Sequence, residues 1–238
     1  DSRCSAQVKW LKEHHGELLS RHTCNSVSPA WTLPQILWLN EHEPEVLKKT
    51  KRIYFAKDYI RHLITGDFCT DYIEAMGPML ADDEQGNWCK ELCDLVGVDI
   101  SMLPEIKAPT DIAGHVSKKV AKETGLSTDT LVLVGTTDTA LEVYASGAVE
   151  VGCATVKLAT AGRICPITTG KIDSPMFFNY RHIIPGLWYP GTTTRSCAAS
   201  YKWYRDVLGT DEKRAAADQG IDPYELLNAS AEKVPAGS

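Results

Sequence analysis

The sequence predicts an α/β protein in two parts, and three observations carry this. Segments through the first part place apolar residues at helical spacing and stop at glycines. Leu131-Val132-Leu133-Val134 is an unbroken apolar run, the pattern of a buried strand, and it passes through Gly135-Thr136-Thr137-Asp138 into a further helix. From about residue 149 the texture changes to short strands around small turns. The expected division is therefore 1–148 and 149–238, with no Gly/Ser linker and no short-period repeat. The 238 residues are 43% hydrophobic, enough apolar material for a core in one large or two small domains.

The elements follow in order. Val8, Leu11, His15, Leu18 and Leu19 lie at helical spacing. Pro34 suits the first turn of a second helix carrying Ile36, Leu37 and Leu39. Residues 45–50 form a short polar helix, and Ile53-Tyr54-Phe55 reads as a short buried strand. Helices are expected over Lys57–Ile64, Trp88–Val96 and Val116–Thr124, stopped by Gly66, Gly97 and Gly125. The helix after Asp138 runs from Thr139 to Ser146. Cys153–Ile167 reads as two strands around Thr160-Ala161-Gly162, and Phe177–His182 and Leu187–Tyr189 as two more. Arg195–Leu208 and Pro223–Lys233 read as helices.

Composition removes several function classes. The net charge is −6 and the lysines and arginines are scattered among acids, so no nucleic-acid-binding stripe exists. No apolar run is long enough to span a bilayer. The chain opens on Asp1-Ser2-Arg3 without an apolar leader, so a cytoplasmic protein, or one whose start lies upstream, is expected. Eight cysteines are thinly scattered, which points to reduced thiols. Cys89 and Cys93 share a helix face, but no second ligand pair follows at metal-binding spacing.

On position, Asp138 is the first candidate for chemistry. It stands between the carboxyl end of a strand and the amino end of a helix, where ligands gather in α/β proteins. The same position equally suits a residue that only caps the helix. The turn at Thr160, Ala161 and Gly162 is the second candidate. Small residues let backbone N–H groups approach a phosphate and the threonine adds a donor; a plain hairpin turn is the other reading. Asp1 and Arg3 could hydrogen-bond a polyol. His14, His15 and His22 lack metal-like partners and read as exposed, and His182 as a satisfied residue within a strand.

Several segments in register resemble the FGGY carbohydrate kinases. Asp1-Ser2-Arg3 resembles the family's Asp-x-Arg. Trp31-Thr32-Leu33-Pro34-Gln35-Ile36-Leu37-Trp38 with Glu43-Pro44-Glu45 resembles its Pro-Lys-Leu-Leu-Trp and His-Glu-Pro-Glu run. Ala56-Lys57-Asp58-Tyr59-Ile60 and Thr65-Gly66-Asp67-Phe68-Cys69-Thr70-Asp71 are similar to Pro-Lys-Asp-Tyr and Thr-Gly-x-Phe-x-x-Asp. Gly135-Thr136-Thr137-Asp138 resembles the Gly-Gly-Asp turn bearing the catalytic aspartate, and Ala159-Thr160-Ala161-Gly162 the Gly-Thr-Ser-Gly phosphate loop. Ser196–Trp203 resembles the helix opening that lies along the nucleotide. The likeness covers nearly the whole chain and thins after about residue 210.

The resemblance implies a ribonuclease H-like (actin-like ATPase) two-domain fold, incomplete at both ends. In it, 1–148 is the remainder of a sugar-binding N-terminal domain and 149–238 the first part of a nucleotide-binding C-terminal domain. It implies ATP and Mg²⁺, with phosphoryl transfer to a hydroxyl of a ketose or polyol and Asp138 as general base. Asp1, Arg3, Trp31 and Thr139 would face the sugar. Thr160, Ala161, Gly162, Ala198 and Lys202 would face the ATP. Three positions depart from the pattern: Thr139 replaces Asn or Gln, Ala159 replaces glycine, and Arg163 replaces a small or β-branched residue. They keep open an alternative, a non-catalytic sugar-binding or regulatory relative. No nucleic-acid or membrane partner is expected, and a homodimer is compatible with this reading. Without the opposing phosphate hairpin and the adenine-binding segment, residues 1–238 alone are expected to be inactive. Apolar faces such as Leu131–Val134 are expected to lack neighbours.

Overall fold

The computed structural model describes residues 2–235. They form two compact units, one running through Ala154 with Pro166–Gly191 added, the other comprising Thr155–Cys165 and the residues from Thr192 onward.

In the first unit the helical spacing at the start resolves into two helices. α1 (Ser5–His14) and α2 (Gly16–His22) are separated at His15, whose φ of −131° breaks the run. α3 (Thr32–His42) holds Pro34 in its first turn, where a missing N–H costs nothing, and α4 (Pro44–Lys49) opens on its own proline. Leu11, Leu33, Ile36 and Leu37 from these helices join Met79, Leu80, Leu92 and Val96 in one buried cluster. Each such side chain contributes about 1.5–3 kcal/mol by leaving water. Ile53–Phe55 is not a strand. Ile53 donates one backbone bond to Met102 O at 2.8 Å, and Phe55 then leads into α5 (Ala56–Thr65). A β-prone tripeptide without a neighbouring strand has nothing to pair with.

β1 (Cys69–Asp71) follows α5. β2 (Ala81–Asp82) and β3 (Asn87–Trp88) make a small antiparallel hairpin, and α6 (Lys90–Leu95) packs below. β4 (Glu105–Lys107) runs parallel to β1, with Asp71 opposite Lys107. β5 (Ile112–His115), α7 (Lys118–Thr124) and β6 (Leu131–Leu133) come next. β5 and β6 pair antiparallel, and α8 (Asp138–Ala145) starts beyond β6. The apolar run at β6 is not buried throughout. Leu131 and Leu133 are 53% and 51% exposed while Val134 is 2% exposed, because the two-stranded sheet covers neither leucine. α5 is likewise turned outward on its apolar side: Ile60 and Leu63 are exposed while Asp58 and Arg61 are buried.

Residues 166–191 make isolated bridges, such as Phe178 to Gly191 and Arg181 to Trp188, in place of the two expected strands. They are fastened to the rest of the first unit by Asn25 and Asn179. Asn25 Nδ2 donates to Asn179 O at 2.9 Å, and Asn179 N donates to Asn25 Oδ1 at 2.7 Å. His182 is a satisfied core residue: its Nδ1 accepts from Ile184 N and its Nε2 lies 3.1 Å from Ala148 O.

The second unit holds a three-stranded sheet, order β7 (Ala154–Leu158), β8 (Gly162–Pro166), β9 (Thr192–Thr194). Helices α9 (Ala198–Val207), α10 (Thr210–Gln219) and α11 (Pro223–Ala231) follow. α10 is not legible in the sequence. Its contact face is built from alanines, Ala216 being the buried one, so no large apolar residue marks the period.

Candidate functional site

The turn ahead of α8 is built so that each residue has a separate task. Gly135 takes φ +72°, a conformation that costs a residue with a Cβ, and its N–H donates to Pro109 O at 2.9 Å. Thr136 is buried and its hydroxyl donates to Asp71 Oδ1 at 2.8 Å. Thr137 is the N-cap of α8, its Oγ1 accepting from Ala140 N at 3.3 Å. Asp138 is therefore not the capping residue that its position also allowed. It is the first residue of α8 and exposed, with Oδ1 accepting from Thr139 N at 2.6 Å. A carboxylate there is also favoured by the N-terminal end of the helix dipole.

Behind this turn lies a buried polar cluster whose residues fall in the family-like segments but whose role is not legible from the sequence. Asp71 is wholly buried; its Oδ1 also accepts from Ile73 N at 2.9 Å and Glu74 N at 3.2 Å. Lys57 Nζ lies 2.9 Å from Asp71 Oδ2 and 2.6 Å from Asp58 Oδ1. Arg61 reaches Asp58 Oδ1 at 2.8 Å and Asp67 Oδ2 at 3.0 Å, and donates to the carbonyls of Val134 and Cys69. Burial works against the charge on Lys57, yet Asp71 and Asp58 hold its pKa above the ordinary lysine value. Burial pushes the Glu74 carboxyl up to about 7. Lys57 opposes the rise, and the charges of Asp71, Asp58 and Asp138 add to it. The available signal was the spacing of Lys57, Asp58 and Arg61 on α5 beside Asp67 and Asp71. Opposite charges this dense suit mutual pairing, but partners cannot be assigned without the fold.

The other predicted residues are placed as follows. Asp1 lies outside the described residues. Arg3 is exposed, its guanidinium carbon 4.4 Å from the ring centre of Trp38, beside a cavity of about 280 Å³ lined by Cys4, Thr32, Gln35 and Ile36. Trp31 is in the core, 6% exposed. Its indole N–H donates to Ser26 O at 3.0 Å and its ring meets Phe178 edge-on at 5.8 Å. It presents no free polar edge. Thr139 is half-buried beside Asp138. Of the histidines, His14 is exposed as expected, but His15 and His22 are half-buried, His22 with Nδ1 2.8 Å from Asp82 Oδ2.

In the second unit, Thr160 and Ala161 form the exposed tip between β7 and β8. The carbonyls of Ala159 and Thr160 accept from Ala198 N at 2.9 Å and Cys197 N at 2.8 Å. The loop thus sits carbonyl-first on the start of α9. Among the described residues no acceptor meets the N–H groups of Thr160 and Ala161, which leaves two donors at the tip. Gly162 suits the close approach, because a Cβ there would come within 3.1 Å of Cys197 Cβ and 3.2 Å of Thr194 Oγ1, so those neighbours would have to give by a few tenths of an ångström. Ala198 has spent its N–H on the loop. Lys202 is exposed one turn further along α9, on the same helix face.

All eight cysteines are free. Among the described residues no group of three or more His, Cys, Asp or Glu is placed to hold a metal ion, and no helix is long and apolar enough to cross a membrane.

Comparison with known proteins agrees with this architecture. Residues 1–144 match the family model described as "FGGY family of carbohydrate kinases, N-terminal domain". The chain is 31% identical to a xylulose kinase of Lactococcus lactis subsp. lactis (strain IL1403), over 88% of this chain and 42% of that protein. It is 29% identical to an autoinducer-2 kinase of Yersinia pestis (strain Pestoides F), over 100% of this chain and 46% of that protein. The crystal structure of a xylulose kinase from Rhodospirillum rubrum superposes with a TM-score of 0.87 at 27% identity, covering 100% of this chain and 47% of that one. The chain spans less than half the length of the curated relatives it matches.

Proposed function

The chain belongs to the FGGY family of carbohydrate kinases, and on that premise we propose that the complete protein transfers the γ-phosphoryl group of ATP to a hydroxyl of a xylulose-like ketose or polyol. The observation that carries the reading is Asp138, an exposed carboxylate freed from capping by Thr137 and standing on a turn clamped from behind by buried charges. In the reaction Asp138 accepts the proton of the sugar hydroxyl. The hydroxyl oxygen bonds to the γ-phosphorus in line, the bond to the bridging oxygen breaks, and ADP leaves. The free N–H groups and hydroxyl at the Thr160 tip suit phosphate oxygens as charge moves onto them. Ala198 would contribute as a support of that tip, and Lys202 as a cation along the same face. Magnesium would enter bound to the phosphates of the nucleotide, where it offsets their charge. On the sugar side Thr139 and Arg3 offer donors and Asp1 stands near Arg3 in the sequence, whereas Trp31, buried with its N–H given to Ser26, offers none.

The test is a coupled kinase assay on the complete protein, with D-xylulose, other ketoses and polyols, and autoinducer-2 as acceptors. Asp138→Asn should lower kcat by roughly 10²–10⁴, with sugar affinity much less affected. Near-wild-type turnover in that variant would sink the assignment. Sugar binding without turnover in the wild-type protein would favour the non-catalytic relative that Thr139 and Arg163 keep open.

A further inference from the structure

β1 and β6 belong to different sheets, β1 paired with β4 and β6 with β5. What ties the end of β6 to β1 is therefore not a strand ladder but side chains. Arg61 spans the carbonyls of Cys69, at the start of β1, and Val134, just past β6. Two residues further along each segment, Asp71 at the end of β1 accepts the hydroxyl of Thr136. The second link is the closer one to Asp138, two residues beyond Thr136.

We infer that Asp71 is a positioning residue: its carboxylate, acting through the Thr136 hydroxyl, holds the turn that aims Asp138. Three features suit it to that task. Asp71 itself is fixed, since Oδ1 also takes the N–H groups of Ile73 and Glu74. Its other oxygen is engaged too, since Lys57 Nζ lies 2.9 Å from Oδ2, and that ion pair holds the carboxyl group in one orientation. It is excluded from water, so the Thr136 hydroxyl has no competing partner. Phosphoryl transfer depends on in-line geometry, and a misplacement of about 1 Å can cost on the order of 10²-fold. The catalytic part of this inference rests on the reading of Asp138 as base.

The experiment uses the complete protein and the pair Thr136→Val, which keeps the shape and removes the hydroxyl, and Thr136→Ser, which keeps the hydroxyl. The expected result is a fall in kcat of about tenfold or more in Thr136→Val, with KM for the sugar within about twofold, and recovery in Thr136→Ser. Hydrogen exchange supplies a readout independent of turnover. Amides of 134–140 should exchange faster in Thr136→Val and at the wild-type rate in Thr136→Ser. If Thr136→Val does not fold, Thr136→Ala takes its place. An unchanged kcat in the hydroxyl-free variant overturns the inference, whether or not exchange changes. If the wild-type protein shows no phosphoryl transfer, the reading of Asp138 fails on its own and exchange decides the clamp. Loosening in Thr136→Val alone upholds it, and equal exchange in all three proteins overturns it.

Discussion

The turn ahead of α8 and the tip between β7 and β8 are made of similar material, small residues and threonines, yet they are held in opposite ways. At 135–138 the side chains do the holding: Thr136 donates to a buried carboxylate and Thr137 caps the helix, which leaves the Asp138 carboxylate outward. At 159–162 the carbonyls do the holding, by accepting from the first N–H groups of α9. That leaves N–H groups outward. A turn fixed through its side chains can present a proton acceptor, and a turn fixed through its carbonyls can present a cradle for an anion. The supports differ too. The first rests on buried charges, whose loss is severe; the second rests on main-chain bonds and caps, whose loss is modest.

The largest expected effect tests the first support. Arg61→Met keeps the volume but leaves Asp67 without its buried cation and Asp58 with Lys57 alone, and should destabilise the first unit by about 3–5 kcal/mol. Urea unfolding would read this, and a loss below about 1 kcal/mol would mean the cluster is better solvated than its burial indicates. Next comes the tip. Thr160→Val should slow phosphoryl transfer on the order of tenfold while leaving stability unchanged, because the loop is fastened by carbonyls and not by that hydroxyl. A changed melting temperature with an unchanged rate would reverse the comparison. Smaller again is a cap in the second unit. Asp222 and Glu225 form a capping box at α11, so Asp222→Ala should cost about 1 kcal/mol.

The last test concerns pH. Burial raises the Asp83 carboxyl to about 7, the charge of Asp82 adding to the rise and the Cys24 N–H, Arg181 and Lys171 opposing it. Glu74 is raised similarly. A carboxyl whose folded pKa is raised stabilises the fold fully below its unfolded value, near 4, and that contribution is lost as pH climbs through about 7. Asp83→Asn keeps an acceptor for Cys24 N–H and removes the titration. Its melting temperature should therefore exceed the wild type's at pH 8 and approach it at pH 5. A parallel pH trend in both proteins would show that Asp83 is ionised in the fold at neutral pH.

Local pattern alone determined much of this molecule. Helical spacing and capping residues placed α3 to α9 and α11 within a few residues, and the strand-to-helix turn singled out Asp138. These are properties of neighbouring residues, so a linear reading reaches them. Tertiary structure decided the rest, because the interactions concerned join distant parts of the chain. Thr136 and Asp71 are 65 residues apart, and Arg61 and Val134 are 73 apart. Nothing near Asp71 in sequence marks it as the carboxylate that meets a threonine hydroxyl, and nothing near Trp31 shows that its N–H is already taken by Ser26. Which members of the Leu131–Val134 run lack cover has the same origin: Leu131 and Leu133 are exposed and Val134 is buried. An apolar strand specifies that its faces avoid water, and only the packing of other elements settles whether they do.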